Sequence, residues 1–324
     1  MPLGVAELCF RGRNACPVRE CVEASPCPIH HIAVHSTRGG FTYVYDEPSR
    51  NLLWTDEGDQ ERLTAILHGK RESRMGHEHS EDAVTWNVFR FFQRHECLAP
   101  AMRTICPCPD EEPKPTVFWT THDGRLWEPY RCCSDQIPEK ASSRSESDLI
   151  FLWENKLLVV VEAKFRSPNR SDSTKREVES DKAKRYIDHA SRYLNSEGAE
   201  EAVRDGWYEL LRNWVLGMEL KNTLGCEKFV LVNLLRKRHE REHREDPRRD
   251  FAERACVLSP NCRFMVAYWE DLIATAPLIC DHPDSGLLVN WARNKSELLG
   301  KPAFEMESSQ MSRRASCCVE SMPQ

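Results

Sequence analysis

Ser147-Asp148-Leu149-Ile150-Phe151-Leu152-Trp153-Glu154-Asn155-Lys156-Leu157-Leu158-Val159-Val160-Val161-Glu162-Ala163-Lys164 reads as two strands folded back on each other. Ile, Val, Leu, Phe and Trp fill both arms, and Glu154-Asn155-Lys156 is the only polar break. The arms are apolar at nearly every position rather than at alternate ones. That pattern predicts burial on both faces, as in the middle of an α/β layer structure. A three-residue loop pairs Trp153 with Leu157 and, counting outward, sets Asp148 opposite Glu162. Directly opposed residues share a face, with Cβ atoms about 5 Å apart. Lys164 lies two residues beyond Glu162 and shares that face. A loop of two or four residues would instead turn Asp148 away from Glu162.

Two carboxylates at one sheet end repel each other, and partial burial strengthens the repulsion. A divalent cation relieves it. A small set of hard oxygen ligands with room for water and phosphate suits Mg²⁺, with Mn²⁺ as the close alternative. A lysine beside such an ion can hold the attacking water and stabilise charge on a phosphate. The set Asp148, Glu162 and Lys164 resembles the Asp…Glu-x-Lys signature of the PD-(D/E)xK nuclease superfamily. Ser147 stands where the signature has proline. The resemblance covers mainly residues 80–269. It implies a restriction-endonuclease-like α/β fold, a mixed central sheet flanked by helices, and metal-dependent phosphodiester hydrolysis of restriction, defence or repair type. Asp148, Glu162 and the Ala163 carbonyl would hold the metal, and Lys164 would position the water.

Ser80 to His95 predicts a helix. Ser80 is the N-cap, Glu81 and Asp82 suit the positive helix start, and Val84, Val88, Phe91 and Phe92 form the apolar stripe. Glu81 falls at the N-terminal end of that buried face. The resembled superfamily often carries a glutamate on the helix before the sheet, which makes Glu81 a further candidate; Glu78 is the alternative. Beyond Lys164, Arg166, Arg170 and Lys175 could hold a phosphodiester backbone. Trp207–Leu220 predicts an amphipathic helix on which Tyr208 and Arg212 flank the stripe and could face phosphate, though such residues also snorkel at core edges.

The 324 residues carry 40% hydrophobic and 30% charged residues, the composition of a globular protein. The net charge of −6 means that nucleic acid, DNA or alternatively RNA, would be met by local basic patches and metal. No apolar run reaches the roughly 20 residues of a membrane span. The start of the chain has no signal-peptide pattern, so a cytoplasmic location is expected. Fifteen cysteines without a secretion signal point to reduced thiols rather than disulfides. If zinc is bound, Cys16, Cys21, Cys27 and His30 are the first candidates; Cys106, Cys108, Cys132 and Cys133 form a second cluster.

Residues 1–70 read as an N-terminal β-containing extension, 71–299 as the nuclease-like domain and 300–324 as a disordered tail. Within the extension, Ile32–His35 predicts a strand, and Phe41–Tyr45 with Leu52–Trp54 predicts a hairpin. Asp59 to His68 predicts a short helix. Val117–Thr121, Arg125–Tyr130, Lys228–Leu235 and Arg263–Tyr268 predict strands. Glu179–Leu194 predicts a helix that Ser196-Glu197-Gly198 ends. Arg236 to Arg249 reads as a solvated charge run. Besides the nuclease, a non-cleaving nucleic-acid binder with the same fold and a zinc-stabilised Cys/His-rich interaction protein fit parts of the sequence. A second copy of the chain is a further partner to be expected.

Overall fold

The computed structural model describes residues 32–37, 40–69, 74–136, 146–170, 187–298 and 301–306. The chain folds as a mixed α/β protein around a seven-stranded sheet. Strands β1 (Ile32–Thr37) and β2 (Gly40–Tyr45) form a separate antiparallel pair. Helices α1 (Glu57–Gly69), α2 (Glu81–Arg94) and α3 (Leu98–Met102) follow. Then come β3 (Thr116–Phe118), β4 (Thr121–His122), β5 (Arg125–Leu126) and α4 (Glu128–Gln136). The central hairpin is β6 (Leu149–Trp153) and β7 (Leu157–Ala163). Helices α5 (Ser196–Arg204) and α6 (Tyr208–Thr223) cross over to β8 (Lys228–Leu235). Short helices α7 (His239–His243) and α8 (Glu253–Ala255) lead to β9 (Cys262–Tyr268), followed by α9 (Trp269–Ile279) and α10 (Asp284–Asn294). A small pair, β10 (Ser296–Leu298) and β11 (Lys301–Pro302), closes the described chain.

The sheet order is β5-β4-β3-β6-β7-β8-β9. The strands from β5 to β7 pair antiparallel, and β7, β8 and β9 pair parallel. Trp153 pairs with Leu157 and Leu149 with Val161, so the three-residue loop and its register stand as read. Asn155 takes the left-handed conformation the loop needs, with φ of 59°. Every residue of β6 and β7 is buried. A fully buried Val, Leu, Ile or Phe side chain contributes about 1.5–3 kcal/mol. A net backbone hydrogen bond contributes about 0.5–1.5 kcal/mol. The hairpin is therefore held mainly by what packs on its two faces.

One face, with Leu149, Phe151, Val159, Val161, Val230 and Val232, packs under α2, α9 and α10. The other, with Ile150, Leu152, Val160 and Leu231, packs under α6 and the segment leading to α8. Asp148 and Glu162 continue the second face by alternation, so they point towards α6.

Several expectations are corrected. Leu52–Trp54 is not a strand. β2 pairs with β1 instead, and the Leu53 amide and Trp54 indole both donate to Asn87 on α2, which draws this run onto the helix. Val117–Thr121 is interrupted, because Trp119 and Thr120 turn with φ of 44° and 60°. Arg125–Tyr130 yields only two strand residues before α4 begins at Glu128. Ser196-Glu197-Gly198 opens α5 rather than ending a helix. Gly198 is there for closeness: a Cβ at that position would lie 1.9 Å from the Arg254 carbonyl oxygen. Of the helix expected over 179–194, residues 179–186 lie outside the described residues.

The run from Arg236 to Arg249 is not simply solvated. Arg236, Arg238, His239 and Glu245 are buried, with Arg236 paired to Glu242 at 3.0 Å and His239 to Glu245 at 3.3 Å. Residues 301–306 are likewise packed, with Ala303 and Phe304 buried, so the expected tail does not begin at 300. Residues 307–324 lie outside the described residues. Among the described residues, no helix is long and apolar enough to cross a membrane.

Candidate active site at the end of the central hairpin

Lys164 stands at the centre of the site. Its Nζ lies 2.7 Å from Glu162 Oε1 and 2.6 Å from Glu209 Oε2, with the lysine buried. Its backbone is fixed from both sides: the amide donates to the Leu234 carbonyl at 2.8 Å, and the Trp269 indole donates to the Lys164 carbonyl at 3.1 Å. Burial alone would pull the ammonium down, but Glu162, Glu209, Glu81 and Asp148 together raise it well above the ordinary lysine value. The residue stays charged.

The carboxylates come from four elements. Asp148 precedes β6, and its Oδ2 accepts from the Ala163 amide at 2.8 Å, which ties it across the hairpin. Glu162 ends β7 and accepts from the Asn213 side-chain amide of α6; the Ser147 hydroxyl donates to Asn213 Oδ1 at 2.9 Å. Glu209 opens α6. Glu81 opens α2 behind the Ser80 cap, whose hydroxyl accepts from the Ala83 amide at 3.1 Å, and it accepts from the Ser167 hydroxyl. Burial pushes the Glu81 carboxyl up, against the pull of Lys164 and the Ser167 hydrogen bond. Lys164 holds Glu209 below the ordinary carboxylate range, against burial and with help from Arg212.

With all four ionised, four carboxylates meet one ammonium, a formal charge of −3. The acids gather around the lysine, and Glu162 and Glu209 also meet each other. Among the described residues, the trio of His, Cys, Asp or Glu ligand atoms that lie within 4.8 Å of one another is elsewhere, at His95, His282 and Asp284.

The other candidates are placed as follows. Glu78 is not in this cluster; it pairs with buried Lys295 at 3.2 Å. Tyr208, the first residue of α6, is buried against the core beneath that helix. Arg212 donates to the Glu146 carbonyl at 3.3 Å beside the hairpin entrance. Arg166 is half-buried next to the site. Arg170 stacks 4.8 Å over Trp207 and donates to Asp250 at 3.2 Å. Lys175 and the set Cys16, Cys21, Cys27 and His30 lie outside the described residues. The second cysteine cluster does not converge. Cys106 and Cys108 hydrogen-bond each other, Cys132 is exposed by Glu128, and Cys133 meets Thr223 at 3.3 Å. The nine cysteines among the described residues are free thiols.

Glu209 and Asn213 escaped sequence reading. Their signal is a polar line, Glu209, Arg212 and Asn213, at helical spacing against the stripe of Leu210, Leu211 and Trp214. Asn213 is wholly buried, which a helix tolerates only when the amide has partners.

The depressed Glu209 carboxyl contributes stability that is present above its unfolded value and lost as pH falls through its folded one. Glu209→Gln should therefore flatten the acid side of a melting-temperature profile. Parallel acid limbs in the two proteins would refute the pairing.

A mixed seven-stranded sheet with helices on both faces, and one sheet end that gathers acids around a lysine, defines an α/β protein with an acidic, lysine-centred cluster. No family model, no curated protein and no solved structure matches the chain.

Proposed function

We propose that the protein is a Mg²⁺-dependent nuclease that hydrolyses phosphodiester bonds in DNA, built on a restriction-endonuclease-like sheet. The observation that carries this reading is Lys164 held among Asp148, Glu162, Glu209 and Glu81 at the open end of β6 and β7. The donors fit a hard divalent cation: carboxylate oxygens in excess of the one positive charge present. Asp148, Glu162 and the Ala163 carbonyl would hold it. Bound there, Mg²⁺ supplies a Lewis acid that offsets charge on the phosphate oxygens.

The remaining work falls to the chain. Lys164 leaves one of its carboxylate partners and donates to the attacking water, its raised basicity keeping the ammonium charged. Glu81, with its raised carboxyl, would orient that water or a second ion from the α2 side. Arg166 follows two residues after Lys164 on the segment that leaves β7 and would meet a scissile-strand phosphate.

A panel of duplex, single-stranded and flap substrates, with Mg²⁺, Mn²⁺ or chelator, tests the reading. Cleavage that chelator stops and Mg²⁺ restores is the expected result. One observation favours a binder that does not cut, because the ammonium already satisfies Glu162 and Glu209. DNA binding with no cleavage on any substrate and either ion would establish that alternative.

A further inference from the structure

At the other end of α2 a second constellation forms from two segments. His95 caps the C-terminus of the helix. His282 lies between α9 and α10, and Asp284 opens α10. His95 Nε2 is 3.0 Å and His282 Nδ1 3.5 Å from the same Asp284 oxygen. The two imidazoles lie 4.2 Å apart between centroids, and all three ligand atoms fall within 4.8 Å of one another.

We propose that His95, His282 and Asp284 form a zinc site that clips the end of α2 to the junction of α9 and α10. Zinc binds His nitrogen and carboxylate oxygen at about 2.0–2.2 Å in a tetrahedron, which separates ligand atoms by about 3.3 Å. The observed 3.0 and 3.5 Å straddle that value, and with all three ligand atoms within 4.8 Å of one another the two imidazoles would close onto the ion. Two imidazoles and one carboxylate suit zinc, whereas Mg²⁺ and Ca²⁺ prefer oxygen alone.

Two further observations bear on ligation. The Asp284 amide donates to His282 Nδ1 at 3.2 Å, so that nitrogen is the unprotonated one, and zinc would take over the lone pair that now accepts from the amide. His95 sits where the helix dipole is negative and favours a cation. The fourth position falls to water. The thiols of Cys97 and Cys280, two residues away on each segment, hydrogen-bond each other and are not part of the trio.

The clip is independent of the proposed active site. Glu81 and His95 lie at opposite ends of the 14-residue α2, about 21 Å apart along its axis.

The test uses the full chain, stripped with chelator and titrated with ZnCl₂ or CoCl₂. Wild type should retain one more zinc per chain than His282→Ala or Asp284→Asn. Its melting temperature should rise by a few degrees with zinc well above the dissociation constant, a rise the variants lose. The cobalt difference spectrum between wild type and His282→Ala should lack a thiolate band. His282 is half exposed, so the metal-free variant should melt with wild type. Equal zinc content and equal zinc-induced shifts in wild type and both variants would leave only a histidine–aspartate hydrogen bond and overturn the site. A thiolate band, or loss of the metal in Cys97→Ser and Cys280→Ser, would overturn the ligand assignment.

Discussion

Lys164→Met should lower the cleavage rate by at least about 10²–10³-fold, as expected when a donor aimed at developing charge is removed. Methionine keeps the buried stem and deletes only the ammonium. A second effect has the opposite sign. With Nζ gone, Glu162 and Glu209 lose ion pairs of 2.7 and 2.6 Å, and four carboxylates are left facing one another. Unpaired buried charge is costly, so the metal-free variant should melt earlier. Mg²⁺ no longer competes with an internal cation, so the melting shift it produces should be larger than in wild type. Cleavage of labelled duplex and thermal melts with and without MgCl₂ read both effects. A variant that cuts at the wild-type rate removes Lys164 from the chemistry. An unchanged Mg²⁺ shift removes the acids from the ion.

Gly198→Val should strongly destabilise the fold from outside the site. A Cβ there would lie 1.9 Å from the Arg254 oxygen and 2.5 Å from its carbonyl carbon, both backbone atoms that cannot swing away. Overpacking typically costs about 1–3 kcal/mol, and a backbone clash on this scale belongs at or beyond the upper end. Gly286 in α10 provides the control, because nothing lies within 4 Å of its Cβ position. Gly286→Ala should stabilise by about 0.5–1 kcal/mol through helix propensity. Urea unfolding of the two variants should shift the midpoint in opposite directions. A tolerated Gly198→Val would mean that α5 and the Arg254 turn are not packed as described.

The hairpin register was legible because one integer decides it. A three-residue loop leaves no freedom in which side chains share a face, and the pairing of Trp153 with Leu157 followed directly. Glu209 was not legible for the opposite reason. Its place depends on how α6 lies across the sheet, which no local pattern encodes. Gly198 was misread because a glycine within a polar triplet looks the same whether it ends a helix or admits a neighbouring backbone. The run from Arg236 to Arg249 was misread because charge predicts solvent only when charges lack partners. Here Glu245 accompanies His239 inward, and Glu242 meets the buried Arg236 guanidinium from the surface side. The short strands β3 to β5 were blurred because tight positive-φ residues at Trp119, Thr120 and Asp123 break them without glycine or proline at those positions.

The attachments of Lys164 also bear on the order of synthesis. Asp148, Glu162 and Lys164 leave the ribosome long before Trp269, whose indole grips the Lys164 carbonyl. Arg236 stacks 5.4 Å over Phe165 and in turn donates to the Ala303 carbonyl. A nascent chain therefore carries Asp148, Glu162 and Lys164 for more than a hundred residues before the clamps that shape their cluster emerge.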